Sequence, residues 1–248
     1  MIVALARKEL KSLFSSPMGW VVLALLQFVF GTFFLLGVDQ YFQTMSGSLR
    51  PEMRQGVTEF VGHTVFNMAS FIMLFAVPLL SMRLISEERK QQTLTFLVSA
   101  PLSLIDIVLG KFVGLVSFLT IVILFIGAMM MSLNLWSDID FGLILANVLG
   151  LWLLVASFSA LGLFMSSLTQ HPVVAGISTF VALFGLMLLD YLLAGDPNSV
   201  LAHLSLLRHF EPFSRGLLDT RDIAYFLLFI LTFLTLPVRR LDADRLRG

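Results

Sequence analysis

The chain has 248 residues, of which 58% are hydrophobic and 13% charged, and its formal net charge is zero. A soluble domain carries about 25% charged residues, so the composition indicates an integral membrane protein. We expect it to be all-α and to have no nucleic-acid partner. The absence of cysteine excludes disulfides, thiolate nucleophiles and cysteine-ligated metals.

The first 16 residues predict an amphipathic helix that lies in the headgroup plane. Apolar residues recur there at helical spacing, and Arg7, Lys8 and Lys11 lie on the other side. The alternative is a merely solvated N-terminus. Pro17 is expected to end this helix and to open the next one. The apolar run that follows is too long for a signal-peptide core, so we expect a retained membrane anchor.

Six apolar runs are long enough to cross a bilayer. Ser103 and Asp106 form a plausible capping pair for the third, and Asp219 or Thr220 is expected to cap the sixth. The sixth run is the shortest and needs Pro237 and Val238, or local thinning of the bilayer, to reach across. Small residues in the fourth and fifth runs predict close helix packing. The predicted spans are 18–38, 62–82, 104–133, 141–168, 173–193 and 222–236.

The distribution of cations predicts the orientation. Six spans place both termini on one side, and that side carries 11 of the 16 lysines and arginines. By the positive-inside rule both termini are cytoplasmic. We expect one transmembrane domain over 1–248, with a cytoplasmic segment at 83–111, an extracytoplasmic segment at 194–221 and a cytoplasmic tail at 237–248.

The segment 83–111 is the longest polar interval in the first two-thirds of the chain, and it is expected to lie in water between spans two and three. An apolar helical face within a charged rim suits a small interface with another protein. A solvated helix that only joins two spans is the alternative. The predicted contact residues are Glu87, Glu88, Arg89, Lys90, Thr93, Leu94, Phe96 and Leu97.

The segment 194–221 is too often interrupted by charge to span, which predicts a re-entrant or interfacial helical segment. It is expected to act as an outer gate or to dock an extracytoplasmic partner, and an interfacial plug without a specific role is the alternative. The residues assigned to it are Arg208, His209, Glu211, Phe213 and Arg215.

The sequence lacks the nucleotide-binding and metal-binding motifs for which we searched. The chain has no phosphate-binding loop of the G-x-x-x-x-G-K-[ST] type, and its four histidines lack a helical metal-ligand spacing. No catalytic residue, metal or bound cofactor is therefore predicted. Within the spans, Gln27 and Asn67 are candidates to line a substrate path. Hydrogen bonding between helices, or a position at a helix end, is the alternative for both.

Three blocks carry a resemblance to a known family. They read ARKELKSLFSSPMGW at 6–20, PLLSMRLISEERKQQTLTFLVSAPLSLIDIVLGK at 78–111 and LSLLRHFEPFSRGLLDTRDIAYF at 204–226. The chain resembles the permease subunit of type 2 ABC exporters, in particular the gliding-motility-type permeases, which are related to the permease of nitrous-oxide reductase maturation systems. The first block is basic, whereas the corresponding helix of the family is conventionally acid-rich.

The resemblance implies a subunit of an ATP-driven exporter in a bacterial inner membrane. Two permease copies, identical or closely related, would each dock a separate cytoplasmic ATPase through coupling helices at 83–111, and ATP and Mg²⁺ would bind to that ATPase. A companion membrane protein with a large extracytoplasmic domain is also implied. The alternative is a non-transporting scaffold, or a mechanotransmitter that relays ATPase motion to a periplasmic partner. A lipid, a peptide, a polysaccharide or a metal-related cargo all fit the sequence.

Overall fold

The computed structural model describes residues 1–46, 56–93, 103–192 and 204–247, and these parts of the chain contain helices and no strand. Six of the helices are long and apolar enough to cross a membrane, which confirms the predicted number of spans. The helices are α1 (Ile2–Ser15), α2 (Pro17–Ser46), α3 (Val57–Ser81), α4 (Ser86–Lys90), α5 (Leu104–Ser132), α6 (Phe141–Leu168), α7 (Pro172–Leu192), α8 (Leu206–Ser214) and α9 (Thr220–Arg247).

Local signals in the sequence place the helix ends correctly. The first helix ends just before Pro17, which opens α2. The Ser103 hydroxyl accepts a hydrogen bond from the backbone N–H of Asp106 at 3.0 Å and donates one to the Asp106 carboxylate at 2.7 Å. The Asp219 carboxylate accepts from the N–H of Arg221 at 2.9 Å, at the start of α9. These bonds satisfy amide groups that a helix N-terminus otherwise leaves without partners.

Two helices continue beyond the membrane spans that the sequence predicts. The helix α2 continues past Asp39 to Ser46, and α9 continues past Leu236 to Arg247. Charged residues end the part of a helix that can lie in hydrocarbon, but they do not end the helix. The predicted shortest span is thus one stretch of a helix of 28 residues, about 42 Å in length, and Pro237 lies within it.

The helix α6 is the centre of the bundle. Its buried residues occur on all sides, which is the pattern of a helix surrounded by protein. Glycines allow the close approach that its small residues predict: a Cβ at Gly162 would lie 2.2 Å from the Ser81 hydroxyl of α3. The helices α2, α7 and α9 are peripheral and expose large apolar side chains such as Phe28, Val181 and Leu228.

The amphipathic helix α1 packs along the first turns of α5. Two glycines four residues apart make this possible, because a Cβ at Gly110 would lie 2.6 Å from the side chain of Leu5, and one at Gly114 would lie 2.7 Å from the side chain of Glu9. The apolar face of α1 is therefore largely covered by protein. The cations on its other side, Arg7, Lys8 and Lys11, are exposed.

Candidate functional site: a polar helix fixed to the end of the bundle

The short helix α4 follows a turn at the end of α3 and is capped by a side chain from α6. The hydroxyl oxygen of Ser166 accepts hydrogen bonds from the backbone N–H groups of Ile85 and Ser86, both at 3.1 Å. The same hydroxyl donates to the carbonyl oxygen of Met82 at 3.0 Å. Ser166 is fully buried, so this contact joins the start of α4 to the last turn of α6 without access to water.

A buried lysine joins α4 to two further helices. The ammonium group of Lys111, on α5, lies 2.6 Å from a carboxylate oxygen of Glu88 and 3.1 Å from one of Glu9. The lysine side chain is only 2% exposed, whereas those of Glu9 and Glu88 are 16% and 21% exposed. A charge at such a depth is tolerated only when it is paired, so the three side chains fix α1, α4 and α5 relative to one another.

A third contact ties α4 to the far end of the chain. The guanidinium group of Arg89 lies 2.6 Å from a carboxylate oxygen of Asp244, near the C-terminus of α9, and both side chains are partly buried. Four helices (α1, α5, α6 and α9) therefore hold a helix of five residues.

One side of this segment remains available to a partner. Lys90 and Thr93 are exposed, Glu87 is half-buried, and Gln92 adopts a left-handed backbone conformation with φ 58° directly after the helix. The hydroxyl of Thr93 donates to the carbonyl oxygen of Glu88 at 3.3 Å. The predicted contact residues Leu94, Phe96 and Leu97 lie outside the described residues.

At the opposite end of the bundle, α8 is inserted against α6. Phe213 packs so closely on Gly150 that a Cβ there would lie 2.5 Å from the phenylalanine Cβ. Gly150 lies nine residues into α6, about 13 Å from its first residue. The described part of 194–221 thus contains a short helix that reaches into the bundle. The other part of the predicted segment, 194–203, lies outside the described residues.

A polar cluster joins α8 to the first turns of α9. The Nδ1 atom of His209 lies 2.6 Å from a carboxylate oxygen of Asp222, and the imidazole stacks on the ring of Tyr225 with 3.9 Å between centroids. The phenol of Tyr225 donates to the carbonyl oxygen of Leu204 at 2.7 Å. Glu211 of α8 and Arg215, the residue that follows this helix, pair at 2.5 Å and are both more than half exposed. Arg208, in the same helix, is half-buried.

The two candidates for a substrate path bond within the chain. The amide of Gln27 donates to the sulfur of Met129 on α5 at 3.2 Å, and its carbonyl oxygen is buried without a partner. The amide of Asn67 donates to the carbonyl oxygen of His63, one turn earlier in α3, at 2.9 Å. A role for either residue in a path stays a prediction.

Sequence reasoning missed the residues that hold α4. Ser166 is one of the small residues of the fourth run, Lys111 ends the polar segment 83–111, and no sequence pattern singles out Glu9 or Asp244. The sequence does contain a signal for close packing of another helix near Lys111. Gly110 and Gly114 flank this residue at the four-residue spacing that permits close helix approach. The identity of the partner helix could not be read from that spacing.

Six helices of membrane-spanning length define a multi-pass membrane protein, and a short polar helix is fixed at one end of its bundle. The particular family follows from comparison of the sequence. The chain matches the family described as ABC-2 family transporter protein over residues 3–236, nearly its whole length, and it belongs to that family. It is thus a permease subunit of an ABC transporter, of a kind that partners an ABC ATPase subunit and generally lacks an ATP site of its own. No individual curated protein matches the chain.

Proposed function

We propose that this chain is the permease of an exporter in a bacterial inner membrane, of the gliding-motility type, and that α4 with the rest of 83–111 docks the ATPase. In this proposal both termini and α4 are cytoplasmic. The observation that carries the proposal is the attachment of α4: a polar helix of five residues is bonded to three other helices through Ser166, Lys111 and Asp244, and Lys111 is bonded in turn to Glu9 of α1. A helix that merely joined two spans would have no need of such contacts.

The contacts suggest how ATPase movement crosses the membrane. The helix α9 bonds to α4 through Asp244 and to α8 through Asp222, and these two residues belong to one continuous helix. Closure of the ATPase subunits around ATP and Mg²⁺ would displace α4, and α9 would carry the displacement about 33 Å to α8. In this mechanism α8 acts as the outer gate, since Phe213 is already inserted against α6.

Co-purification tests the docking proposal. We expect a stoichiometric P-loop ATPase to accompany the tagged protein from native membranes in mild detergent, identified by mass spectrometry. The double variant Phe96→Ala/Leu97→Ala should insert normally but lose the ATPase, because it truncates the apolar part of the predicted interface. A matched control is Leu217→Ala/Leu218→Ala, which truncates two exposed leucines at the α8 end and should keep the ATPase.

Either of two results would reject the docking assignment. One is a preparation without any ATPase, under conditions in which other ABC complexes of the same membranes remain intact. The other is equal retention of the ATPase by the Phe96/Leu97 variant and its control. In the second case an ATPase binds this permease, but through a different surface.

The translocation path is proposed to form between this chain and a second permease copy, either identical or closely related. Residues His63, Asn67, Phe71 and Phe75 recur every fourth position of α3 and share a face that is exposed or partly exposed. Polar groups on such a face are poorly suited to lipid, which favours a path or an interface there. Asn67→Ala should slow transport, whereas Thr32→Ala, a change of an exposed polar residue on α2, should not; equal transport by both would remove Asn67 from the path.

A second candidate function is a mechanotransmitter that relays ATPase motion to a companion protein outside the membrane. The exposed pair of Glu211 and Arg215 at the end of α8 favours it, because charged rims orient partners without contributing much affinity. Crosslinkers placed at Arg215 should then capture a protein with a large extracytoplasmic domain. Stimulation of the ATPase by a transported substrate would instead support the exporter, and a failure to crosslink would count against the companion.

A further inference from the structure

A cavity lies beneath α4, and Lys111, Glu9 and Glu88, which help to fix this helix, form part of its wall. It has a volume of about 390 Å³ and is enclosed by α1, the start of α2, the end of α3 and α4. That volume falls within the range of small-molecule sites in proteins. The apolar residues that line it are Leu13, Met18, Leu79, Leu80 and Leu84.

The polar lining of the cavity has both signs of charge. Lys111, Glu9 and Glu88 reach it but are bonded to one another. Lys8 and Arg83 also line it, are exposed, and make no salt bridge within the described residues. An acidic side chain, that of Glu87, lines the same cavity.

Glu87 is half-buried and has no cationic partner in the described part of the chain. Its carboxylate accepts only a long hydrogen bond, 3.5 Å, from the side-chain amide of Gln91. Of the six charged side chains around the cavity, three are cations and three are acids, so the cavity as a whole is formally neutral. It offers two cations and one acid that are not yet paired.

The cavity also lies at the level where two membrane spans end. Met18 belongs to the first turn of α2, and Leu79 and Leu80 belong to the last turn of α3. Apolar residues on the membrane side and charged residues on the water side are the surroundings of a phospholipid at the interface. A soluble anion would use the charges but leave the apolar lining uncovered.

We propose that this cavity binds one zwitterionic phospholipid with a primary ammonium group, of the phosphatidylethanolamine type. The phosphodiester accepts from Lys8 and Arg83, the ammonium donates to Glu87, and the proximal acyl chains cover the leucines. An anionic phosphatidylglycerol would leave the carboxylate of Glu87 without a cation beside a bound phosphate. A phosphatidylcholine carries the same charges, but its quaternary ammonium has no N–H to donate. The proposal does not depend on the transport function or on the orientation of the chain.

Native mass spectrometry of the purified protein tests this binding. The protein is stripped of lipid in detergent and then supplied with equal amounts of phosphatidylethanolamine, phosphatidylglycerol and phosphatidylcholine. We expect one phosphatidylethanolamine to be retained in preference to the other two. The double variant Lys8→Gln/Arg83→Gln should bind phosphatidylethanolamine about tenfold more weakly, because it removes both charge-assisted bonds to the phosphate.

Two further variants separate the headgroup contacts from general effects of charge. Glu87→Gln should reduce the preference for phosphatidylethanolamine over phosphatidylcholine about fivefold without weakening phosphatidylcholine, since only the ammonium contact is lost. The control Lys11→Gln/Lys90→Gln removes two exposed lysines that do not line the cavity and should bind as the unaltered protein does. All the altered side chains are exposed or half-buried, and elution as a single peak in size exclusion establishes that each variant is folded.

Three results would overturn the proposal. Equal losses in the Lys8/Arg83 variant and in the Lys11/Lys90 control would show that binding follows overall charge. Retention of phosphatidylglycerol at or above the level of phosphatidylethanolamine would refute the zwitterionic site. Displacement of the lipid by water-soluble glycerophosphoethanolamine at a similar concentration would show that the site takes a soluble phosphodiester and not a membrane lipid.

Discussion

Replacement of Lys111 by methionine is the most informative single perturbation of the α4 attachment. Methionine keeps most of the volume of the side chain but removes the ammonium group that lies between Glu88 and Glu9 at 2.6 and 3.1 Å. Removal of one partner from a buried ion pair costs about 3–5 kcal/mol, because the remaining charge is left desolvated. Both glutamates keep some contact with water, so we expect the lower end of this range, about 3 kcal/mol.

The loss is measurable as thermal unfolding in detergent. A cost of about 3 kcal/mol corresponds to a decrease of about 6–12 °C in the Tm of a chain of this size. Lys90→Met is the matched control, because Lys90 is exposed and belongs to the same segment. It should change the Tm by less than about 2 °C.

A triple variant separates the missing cation from the altered packing. In Glu9→Gln/Glu88→Gln/Lys111→Met no charge remains at the site, so stability should return to within about 1 kcal/mol of the unaltered protein. A Lys111→Met protein as stable as the Lys90→Met control would refute the reasoning. A triple variant less stable than the single one would show that the ammonium acts through packing rather than through its charge.

Three further predictions concern the same end of the bundle. Gly114→Leu should separate α1 from α5 and lower the free energy of unfolding by about 1–3 kcal/mol, because even a Cβ at this position would lie 2.7 Å from the Glu9 side chain. The control in the same unfolding assay is Gly185→Ala, because the space around Gly185 is open. Ser166→Ala should cost about 1–3 kcal/mol and increase amide hydrogen exchange at the start of α4, since two buried N–H groups lose their acceptor. Arg89→Glu should weaken the link between α4 and α9, and addition of Asp244→Arg should restore it, as measured by crosslinking of the two helices.

Each of these predictions has a definite contrary outcome. Equal Tm values for the glycine variants would mean that α1 is not packed on α5. Unchanged amide hydrogen exchange at the start of α4 in the Ser166→Ala variant would show that Ser166 does not cap this helix. A double charge reversal that crosslinks no better than Arg89→Glu alone would show that the ion pair does not hold the two helices together.

The sequence predicted the helices of this protein well where the signal is local. Six apolar runs, the proline at position 17 and the capping pair Ser103–Asp106 depend only on residues close in the chain, and all are found in the structure. The helices α2 and α9 continue beyond the predicted spans for a physical reason. Hydropathy measures the part of a helix that hydrocarbon tolerates, whereas the backbone hydrogen bonds that define the helix continue into water.

The contacts of the candidate site were not predictable in the same way. The residues Glu88 and Lys111 are 23 positions apart, and Arg89 and Asp244 are 155 apart. A charge in a sequence is compatible with exposure to solvent or with burial against a partner, and only the packing of the helices decides between them. The assignment of 83–111 as a docking segment therefore rested on composition and family resemblance, without the bonds that make its first helix rigid.

The sequence by itself determined that this is a helical protein of six spans, because burial of the backbone in hydrocarbon allows few alternatives to a long apolar helix. It also determined which segments must remain in water, because charge is costly in the membrane. The tertiary structure alone decided that Ser166, Lys111 and Asp244 meet at α4, and that Lys8, Arg83 and Glu87 surround one cavity. These contacts depend on which helix faces pack together, and the packing of the whole bundle determines those faces, not any one segment of the chain.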